Sequence, residues 1–223
     1  MSSYFISAID TGVGKSIATG LMARFLLSKG ISTVTFKPAQ TGCEGIAEDI
    51  LTHRELSGSE ILPEDREGLT CPYVFPVPAS PHLAAELDAK EIVPEKIDRA
   101  LAELCRRFDY VLIEGAGGLM VPLTRNLLFI DWAAKHSLPL ILITSGRLGS
   151  INHTLLSIEA AKNRNMKIAG IIYNMYPPSN KEISLDSLKV IRDLNPEIPV
   201  VETGEIDYDN LDVDFSPIFG EVK

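Results

Sequence analysis

Residues 4–18 read YFISAIDTGVGKSIA, and this stretch decides the fold. A short apolar segment leads into a turn that contains two glycines, and the segment after Lys15 and Ser16 has the composition of a helix. Glycines let backbone N–H groups turn toward phosphate oxygens, and the start of a helix favours negative charge. A strand, a GxGKS turn and a helix in this order are typical of a phosphate-binding loop.

The beginning of the loop departs from the usual pattern, which has a glycine at the position of Ile9. A capped helix start with a surface lysine is therefore the alternative explanation. The location directly after an apolar strand favours a nucleotide site, in which Lys15 reaches the β- and γ-phosphates and the Ser16 hydroxyl binds Mg²⁺. The predicted nucleotide-binding residues of the loop are Gly12, Val13, Gly14, Lys15, Ser16 and Ile17.

Composition limits the possible functions. The chain has 223 residues, 45% of them hydrophobic, which suits one α/β domain over residues 1–223. Its net charge is −9, without the basic surface that duplex nucleic acid requires. Neither a membrane span nor a secretory signal is expected. The cysteines Cys43, Cys71 and Cys105 are widely spaced, as in reduced packing thiols, so a cytoplasmic protein is predicted.

Apolar runs of strand length alternate with segments of helical periodicity. Strands are predicted at residues 4–9, 32–36, 110–113, 138–144, 168–173 and 199–202, and helices at 16–29, 48–55, 94–108, 129–136, 151–163 and 181–194. Strands that are apolar on both faces and alternate with helices indicate a mostly parallel sheet. The predicted fold is an α/β, P-loop NTPase-like three-layer sandwich with helices on both faces of the sheet.

Two further strands end in charged residues. Lys37 follows the second strand, where open α/β sheets place their ligands. Glu114 ends the strand at 110–113 and precedes the glycines of residues 115–118, which let a backbone approach a substrate. A carboxylate at this place is a candidate metal ligand, and Asp49 is a third acidic candidate. Each of the three residues has an alternative explanation. Lys37 would be a surface lysine with its charged end in water, Glu114 a hydrogen-bonded turn carboxylate, and Asp49 a solvated helix residue.

The remaining candidates lie at a helix start and at isolated histidines. Gly149 and Ser150 precede an apolar helix, and its free N–H groups suit a carboxylate ligand. His53 and His136 are expected at the surface.

Four motifs therefore stand in order: DTGVGKS at 10–16, KPAQTG at 37–42, VLIEGAGG at 111–118 and LGSINH at 148–153. This set, over roughly residues 4–206, resembles the dethiobiotin synthetase family. The segments 80–82 (SPH) and 121–123 (VPL) are also similar. In the family the loop is one residue longer and its early glycine falls at Ala8. Members often have glutamate at Gly12 and proline at Asp207, so nucleotide preference stays open.

The resemblance implies a reaction in which 7,8-diaminopelargonate, CO₂ and MgATP give dethiobiotin, ADP and phosphate. One amine captures CO₂ as a carbamate, a carbamate oxygen attacks the γ-phosphate, and the second amine closes the ring. Lys15 and Lys37 would flank the γ-phosphate and the carbamate, and Thr11 would act beside them.

The resemblance also implies the other roles. Mg²⁺ would be held by Ser16, Asp49 and Glu114. The adenine side would be formed by Asn174, Gly204 and Ile206. The diamine would contact Thr11, Lys37, Thr41, Gly117, Gly118, Val121 and Pro122. Its carboxylate would lie at Leu148, Gly149, Ser150 and Asn152 of a neighbouring subunit, which requires a homodimer.

Two other functions remain open at this stage. An ATP-dependent amidase of the cobyrinate type shares the loop style, but it would need another source of ammonia. A non-catalytic ATPase switch that binds a protein partner gives no reason for Lys37 and Glu114 to lie together.

Overall fold

The computed structural model describes residues 2–176, 180–205 and 211–220. The strands in these ranges are β1 (Ser2–Ala8), β2 (Thr33–Phe36), β3 (Gln40–Thr41), β4 (Val74–Phe75), β5 (Tyr110–Gly118), β6 (Pro122–Thr124), β7 (Leu127–Leu128), β8 (Leu140–Ser145), β9 (Ile168–Asn174) and β10 (Val200–Thr203). The helices are α1 (Lys15–Ser28), α2 (Glu48–Ser57), α3 (Pro63–Arg66), α4 (Pro81–Leu87), α5 (Pro94–Arg107), α6 (Phe129–Lys135), α7 (Ser150–Lys162), α8 (Lys181–Leu194) and α9 (Ser216–Phe219).

The main sheet has six strands in the order β10-β9-β8-β1-β5-β2, and every neighbouring pair is parallel. The predicted parallel sheet is therefore confirmed, and each predicted strand and helix is found with ends shifted by a few residues. Because all six strands run in one direction, their carboxyl ends share one edge. The segments after β1, β2, β5 and β8 meet at this edge, with β1 between β5 and β8.

Helices cover both faces of the sheet, as neighbouring residues of β1 show. Phe5 packs against Phe129 and Trp132 of α6, with ring centroids 6.3 Å apart in both pairs. Tyr4 packs edge-on against Phe219 of α9 at 5.2 Å. Consecutive side chains of a strand point to opposite faces, so α6 and α9 lie on opposite sides. The predicted three-layer arrangement is confirmed.

Several short elements were not predicted. Strand β3 pairs in parallel with β4, so the proline-rich segment 71–81 is ordered and lies beside the residues that follow Lys37. Residues 211–220 return to the face of α1, where Phe215 packs against Phe25 at 5.9 Å. None of the described helices combines the length and the apolar character that a membrane crossing requires.

Helices α1 and α2 pack closely at Gly20. A β-carbon on Gly20 would lie 2.8 Å from Cβ of Leu56 and 3.3 Å from Cα of His53. Such a separation from Leu56 is shorter than real contacts between carbon atoms, so glycine is what allows this approach. The contact brings α2, and with it Asp49, toward the carboxyl edge of the sheet.

We expect Gly20→Ala to lower the free energy of unfolding by about 1 kcal/mol. Overpacking against Leu56 costs roughly 1–3 kcal/mol, and the better helix propensity of alanine returns about 1 kcal/mol. Urea unfolding followed by circular dichroism measures the difference. Stability equal to or above that of the wild type would contradict the close packing of the two helices.

Candidate active site

The phosphate loop joins β1 to α1. Gly12 and Gly14 have φ angles of 75° and 93°, which L side chains rarely adopt, so glycine is favoured at both positions. Ile9 follows β1 directly, and its N–H donates to the carbonyl of Ile143 at 3.0 Å. Ile9 is not among the described residues with a positive φ angle, so no glycine is needed there.

Four polar side chains from separate segments meet beside this loop. Lys37 follows β2 and is only 3% exposed. Its Nζ lies 2.6 Å from Oδ2 of Asp49 and 2.8 Å from Oε1 of Glu114. Oγ of Ser16 lies 2.9 Å from Oδ1 of Asp49 and 3.0 Å from Oε1 of Glu114. Lys37 is therefore not a surface lysine, and Asp49 is not simply a solvated helix residue.

The opposite charges in this cluster stabilise one another's charged forms. Burial lowers the pKa of Lys37, but the carboxylates of Glu114 and Asp49 outweigh it, and the pKa is raised. Burial raises the pKa of Glu114, but Lys37, His53 and Lys15 together hold it well below its usual value. Lys37 is thus charged and Glu114 ionised near neutral pH.

Lys15 is also buried, with 8% of its surface exposed. Burial lowers its pKa, and the carboxylate of Glu114 offsets this only in part, while Lys37 adds repulsion. An anion bound in the loop would therefore stabilise the charged form of Lys15.

The prediction that His53 lies at the surface is wrong. His53 is 0% exposed, and its Nε2 lies 2.7 Å from Oε2 of Glu114. The sequence does contain a pattern that indicates this position. Residues four apart on a helix share a face, so His53 lies on the same face of the predicted helix as Asp49. His136 is also not a free surface residue, since it is half-buried against Trp132.

Two neighbouring cavities lie beside the phosphate loop. The first, of about 450 Å³, is lined by half of the predicted residues, including Thr11, Lys15, Ser16, Lys37, Thr41, Asp49, Glu114 and Gly117. The second, of about 460 Å³, shares Gly12, Gly14 and Ile17 with the first and reaches Asn174 and Gly204. Gln40 in the first cavity and Leu21, Tyr176, Thr203 and Glu205 in the second were not predicted. Ile206 lies outside the described residues.

Asn174 is held in place by the phosphate loop. Its Nδ2 donates to the carbonyl of Val13 at 3.0 Å, and its Oδ1 accepts from the N–H of Tyr176 at 3.0 Å. An amide nitrogen has two hydrogens, and Asn174 lines the second cavity.

Other predicted residues lie away from the cluster. Gly118, Val121 and Pro122 line a third cavity of about 430 Å³, which Thr11 connects to the first. Leu148, Gly149, Ser150 and Asn152 line neither of the first two cavities. Leu148 is 83% exposed, and the buried Oγ of Ser150 has no hydrogen-bond partner among the described residues. Arg147, directly before these residues, pairs with Asp10 of the phosphate loop at 2.5 Å, but the four predicted residues themselves do not line the cavities beside the cluster.

Comparison with known proteins gives a consistent result. A family model described as an AAA domain matches residues 2–211. The chain is 49% identical to the ATP-dependent dethiobiotin synthetase BioD 2 of Pasteurella multocida, over 85% of this chain and 89% of that protein. The chain belongs to the dethiobiotin synthetase family. It is also 48% identical to the ATP-dependent dethiobiotin synthetase BioD of Chlorobaculum tepidum, over 83% of this chain and 78% of that protein.

More distant structures share the fold of this dethiobiotin synthetase family member. A ParA family ATPase from Chlorobium tepidum matches with a TM-score of 0.54 and 16% identity, over 94% of this chain and 87% of that one. Chloroplast FtsY from Physcomitrella patens matches with a TM-score of 0.54 and 18% identity, over 98% of this chain. The chain spans 63% of the FtsY chain. These similarities concern the fold alone, and they confirm a P-loop NTPase-like architecture.

Proposed function

We propose that the protein catalyses ATP-dependent carboxylation and ring closure of 7,8-diaminopelargonate with CO₂, which gives dethiobiotin, ADP and phosphate. The observation that carries the proposal is buried Lys37, held between Asp49 and Glu114 beside a phosphate loop. The names of the relatives support the substrate and the product. The path runs through an N-carbamate and a carbamic-phosphoric anhydride.

The oxygen donors at the loop suit Mg²⁺. Ser16, Asp49 and Glu114 converge within hydrogen-bond distance, and hydroxyl and carboxylate oxygens are the ligands that Mg²⁺ prefers. No cluster of three or more His, Cys, Asp or Glu side chains suited to a metal occurs in the described part of the chain. Mg²⁺ needs no such cage, because it commonly combines one or two carboxylates with phosphates and water. When bound, it would neutralise phosphate charge.

Lys37 and Lys15 supply the positive charge of the proposed reaction. Both ammonium groups line the first cavity, where charge moves from the carbamate to the phosphoryl group. Phosphoryl transfer needs positioning and charge neutralisation more than covalent help from the protein. Lys37 is already ordered by two carboxylates, so little reorganisation is needed at the moment of transfer.

The diamine would lie where the first and third cavities meet, at Thr11. The hydroxyls of Thr11 and Thr41 would contact its amine or the carbamate. Gly117 and Gly118 would let the backbone approach it, and Val121 and Pro122 would contact its chain. Asn174 and Gly204 would face the adenine base, and the family resemblance adds Ile206 as a further nucleotide-binding residue.

The substrate carboxylate would be bound by a second copy of the chain. Helix α7 begins at Ser150, after the N-cap Gly149, without a side-chain cap and without acidic residues in its first turn. The N–H of Ser150 donates to the carbonyl of Arg147 at 3.1 Å, so the anion would be bound by the N–H groups of Ile151 and Asn152. Leu148, Ser150 and Asn152 would complete the site from the partner subunit. A homodimer with sites at its interface follows. Each chain would be a single domain over residues 1–223, in the cytoplasm, where the free cysteines would stay reduced.

Product formation tests the function directly. The purified protein is incubated with diaminopelargonate, ¹³C-bicarbonate and MgATP, and the products are separated and weighed by mass spectrometry. We expect dethiobiotin that carries the label, and no product when any one component is omitted. ATP hydrolysis without dethiobiotin would reject the proposed reaction.

Glu114→Gln should raise the Mg²⁺ concentration needed for half-maximal product formation by about tenfold or more. The amide keeps the shape of the side chain but removes the negative charge that would attract the ion. The measurement is a Mg²⁺ titration at fixed ATP. Glu55→Gln, on the exposed side of α2, is the charge-matched control. An unchanged titration would favour a carboxylate that only stabilises the turn.

A further inference from the structure

His53 is a polar side chain of the site to which the proposed reaction gives no role. Its ring is fully buried, and Nε2 lies 2.7 Å from Oε2 of Glu114. Its other nitrogen, Nδ1, is buried and has no hydrogen-bond partner within residues 2–176, 180–205 and 211–220. Among these residues the imidazole therefore makes a single hydrogen bond, and that bond is to Glu114.

The two oxygens of Glu114 have separate partners. Oε1 lies 2.8 Å from Nζ of Lys37 and 3.0 Å from Oγ of Ser16, on the side of the first cavity. Oε2 is bonded to His53. Since the carboxylate is ionised it can only accept, so Nε2 of His53 carries the hydrogen. The bond fixes the plane of the carboxylate, because rotation would leave Oε2 buried without a donor.

We propose that His53 is a positioning residue that holds Glu114 with Oε1 facing the phosphate loop. The proposal rests on the proposed function, in which Glu114 is a ligand of Mg²⁺. Groups that donate to a metal-ligating side chain orient it and commonly change metal affinity by about 10–100-fold when they are removed. His53 reaches this place because Gly20 allows close packing of α2 against α1.

A purely structural role for His53 makes the opposite prediction about substitutions. If the ring only fills space between α1 and α2, leucine should replace it better than glutamine, since the site is buried. If it orients Glu114, glutamine should be better, because its Nε2 can donate as the imidazole Nε2 does and leucine cannot. Which of the two variants, His53→Gln or His53→Leu, binds Mg²⁺ more tightly therefore distinguishes the two roles.

Calorimetric titration with ADP, with and without Mg²⁺, measures this order without any reaction. We expect His53→Leu to weaken the Mg²⁺-dependent gain in ADP affinity by about tenfold or more, with metal-free ADP binding unchanged. His53→Gln should keep most of the gain. His136→Leu is the matched control, since His136 borders Ser2, Ser3 and Pro139 at the amino ends of the strands.

A second readout uses the free protein. In ¹⁵N spectra of histidine-labelled protein we expect the His53 ring to carry its hydrogen on Nε2, and this signal to be absent in His53→Gln. A ring with hydrogen on Nδ1 alone would overturn the proposal, because the contact to Glu114 could not form. This test holds even if the His53→Leu variant fails to fold.

The remaining outcomes separate this proposal from the proposed function. Equal Mg²⁺-dependent binding in His53→Leu and wild type overturns the positioning role and leaves the reaction standing. If Mg²⁺ does not change the ADP affinity of the wild-type protein, both the metal assignment and the role of His53 are overturned. The product assay tests the proposed reaction independently of both results, because it asks only whether labelled dethiobiotin is formed.

Discussion

Lys37→Ala should lower turnover by roughly two to three powers of ten, by analogy with the loss of one donor to a developing oxyanion. Lys37 is a buried cation at the edge of the sheet, between Asp49 and Glu114. Its removal takes away positive charge at the place where the phosphoryl group would move. It also leaves the two carboxylates facing each other without a counter-ion. Turnover is measured as dethiobiotin formed at saturating ATP and Mg²⁺.

The controls for Lys37 separate charge from folding. Lys37→Met keeps an unbranched apolar stem, so similar losses in the alanine and methionine variants identify the ammonium group as the cause. Lys167→Ala, at an exposed position, removes the same charge from a residue that is not part of the predicted site. Far-ultraviolet circular dichroism checks that the variants fold. Wild-type turnover in folded Lys37→Ala protein would remove Lys37 from the mechanism.

Two inactive variants should restore activity when they are combined in one dimer. Lys15→Ala disables the phosphate loop of its own chain, and Asn152→Trp blocks the α7 start that would serve the partner. Asn152 is chosen because it is exposed, whereas Ser150 is fully buried and a bulky side chain there would disturb the core. In a dimer of the two variants, one site has both defects and the other has none.

Each mixed dimer holds one intact site of two, so isolated mixed dimers should show about half of the wild-type activity, and the unseparated mixture about a quarter. The mixture is denatured, refolded together, and separated by two affinity tags, so that mixed dimers are assayed alone. Each variant refolded by itself is the control and should stay inactive. No activity in verified mixed dimers, or full activity of a wild-type monomer, would contradict a shared site.

Part of the site beside the phosphate loop can be predicted from local sequence patterns. Lys37 follows β2, whereas Glu114 lies inside β5, which continues past the predicted end at residue 113 to Gly118. Since Phe36 pairs with Ile113, the next residues Lys37 and Glu114 still lie level with each other, toward the carboxyl ends of the strands. Their approach to within 2.8 Å could therefore be anticipated from the sequence. The same patterns predict every strand of the main sheet, since alternation of strands and helices is a local property.

The positions of helices on the sheet could not be anticipated in the same way. The sequence offers Asp49 only as a third acidic candidate and wrongly places His53 at the surface, because the positions of both side chains depend on how α2 packs against α1. Few apolar residues mark the buried face of α2, where His53, Arg54 and Ser57 are buried beside Ile50 and Leu56. Arg54 is satisfied there by a buried ion pair with Asp65, with 2.8 Å between Nε and Oδ2. Polar burial of this kind is decided by partners distant in sequence.

Local sequence patterns specify the parallel α/β fold, the phosphate loop, and the neighbouring positions of Lys37 and Glu114, because strand periodicity depends on residues close together in the chain. Packing between distant segments decided that Asp49 and His53 join them, that the N–H of Ile9 bonds to the carbonyl of Ile143, and that the start of α7 lines neither of the first two cavities. These outcomes depend on contacts between segments far apart in sequence, which no local pattern specifies.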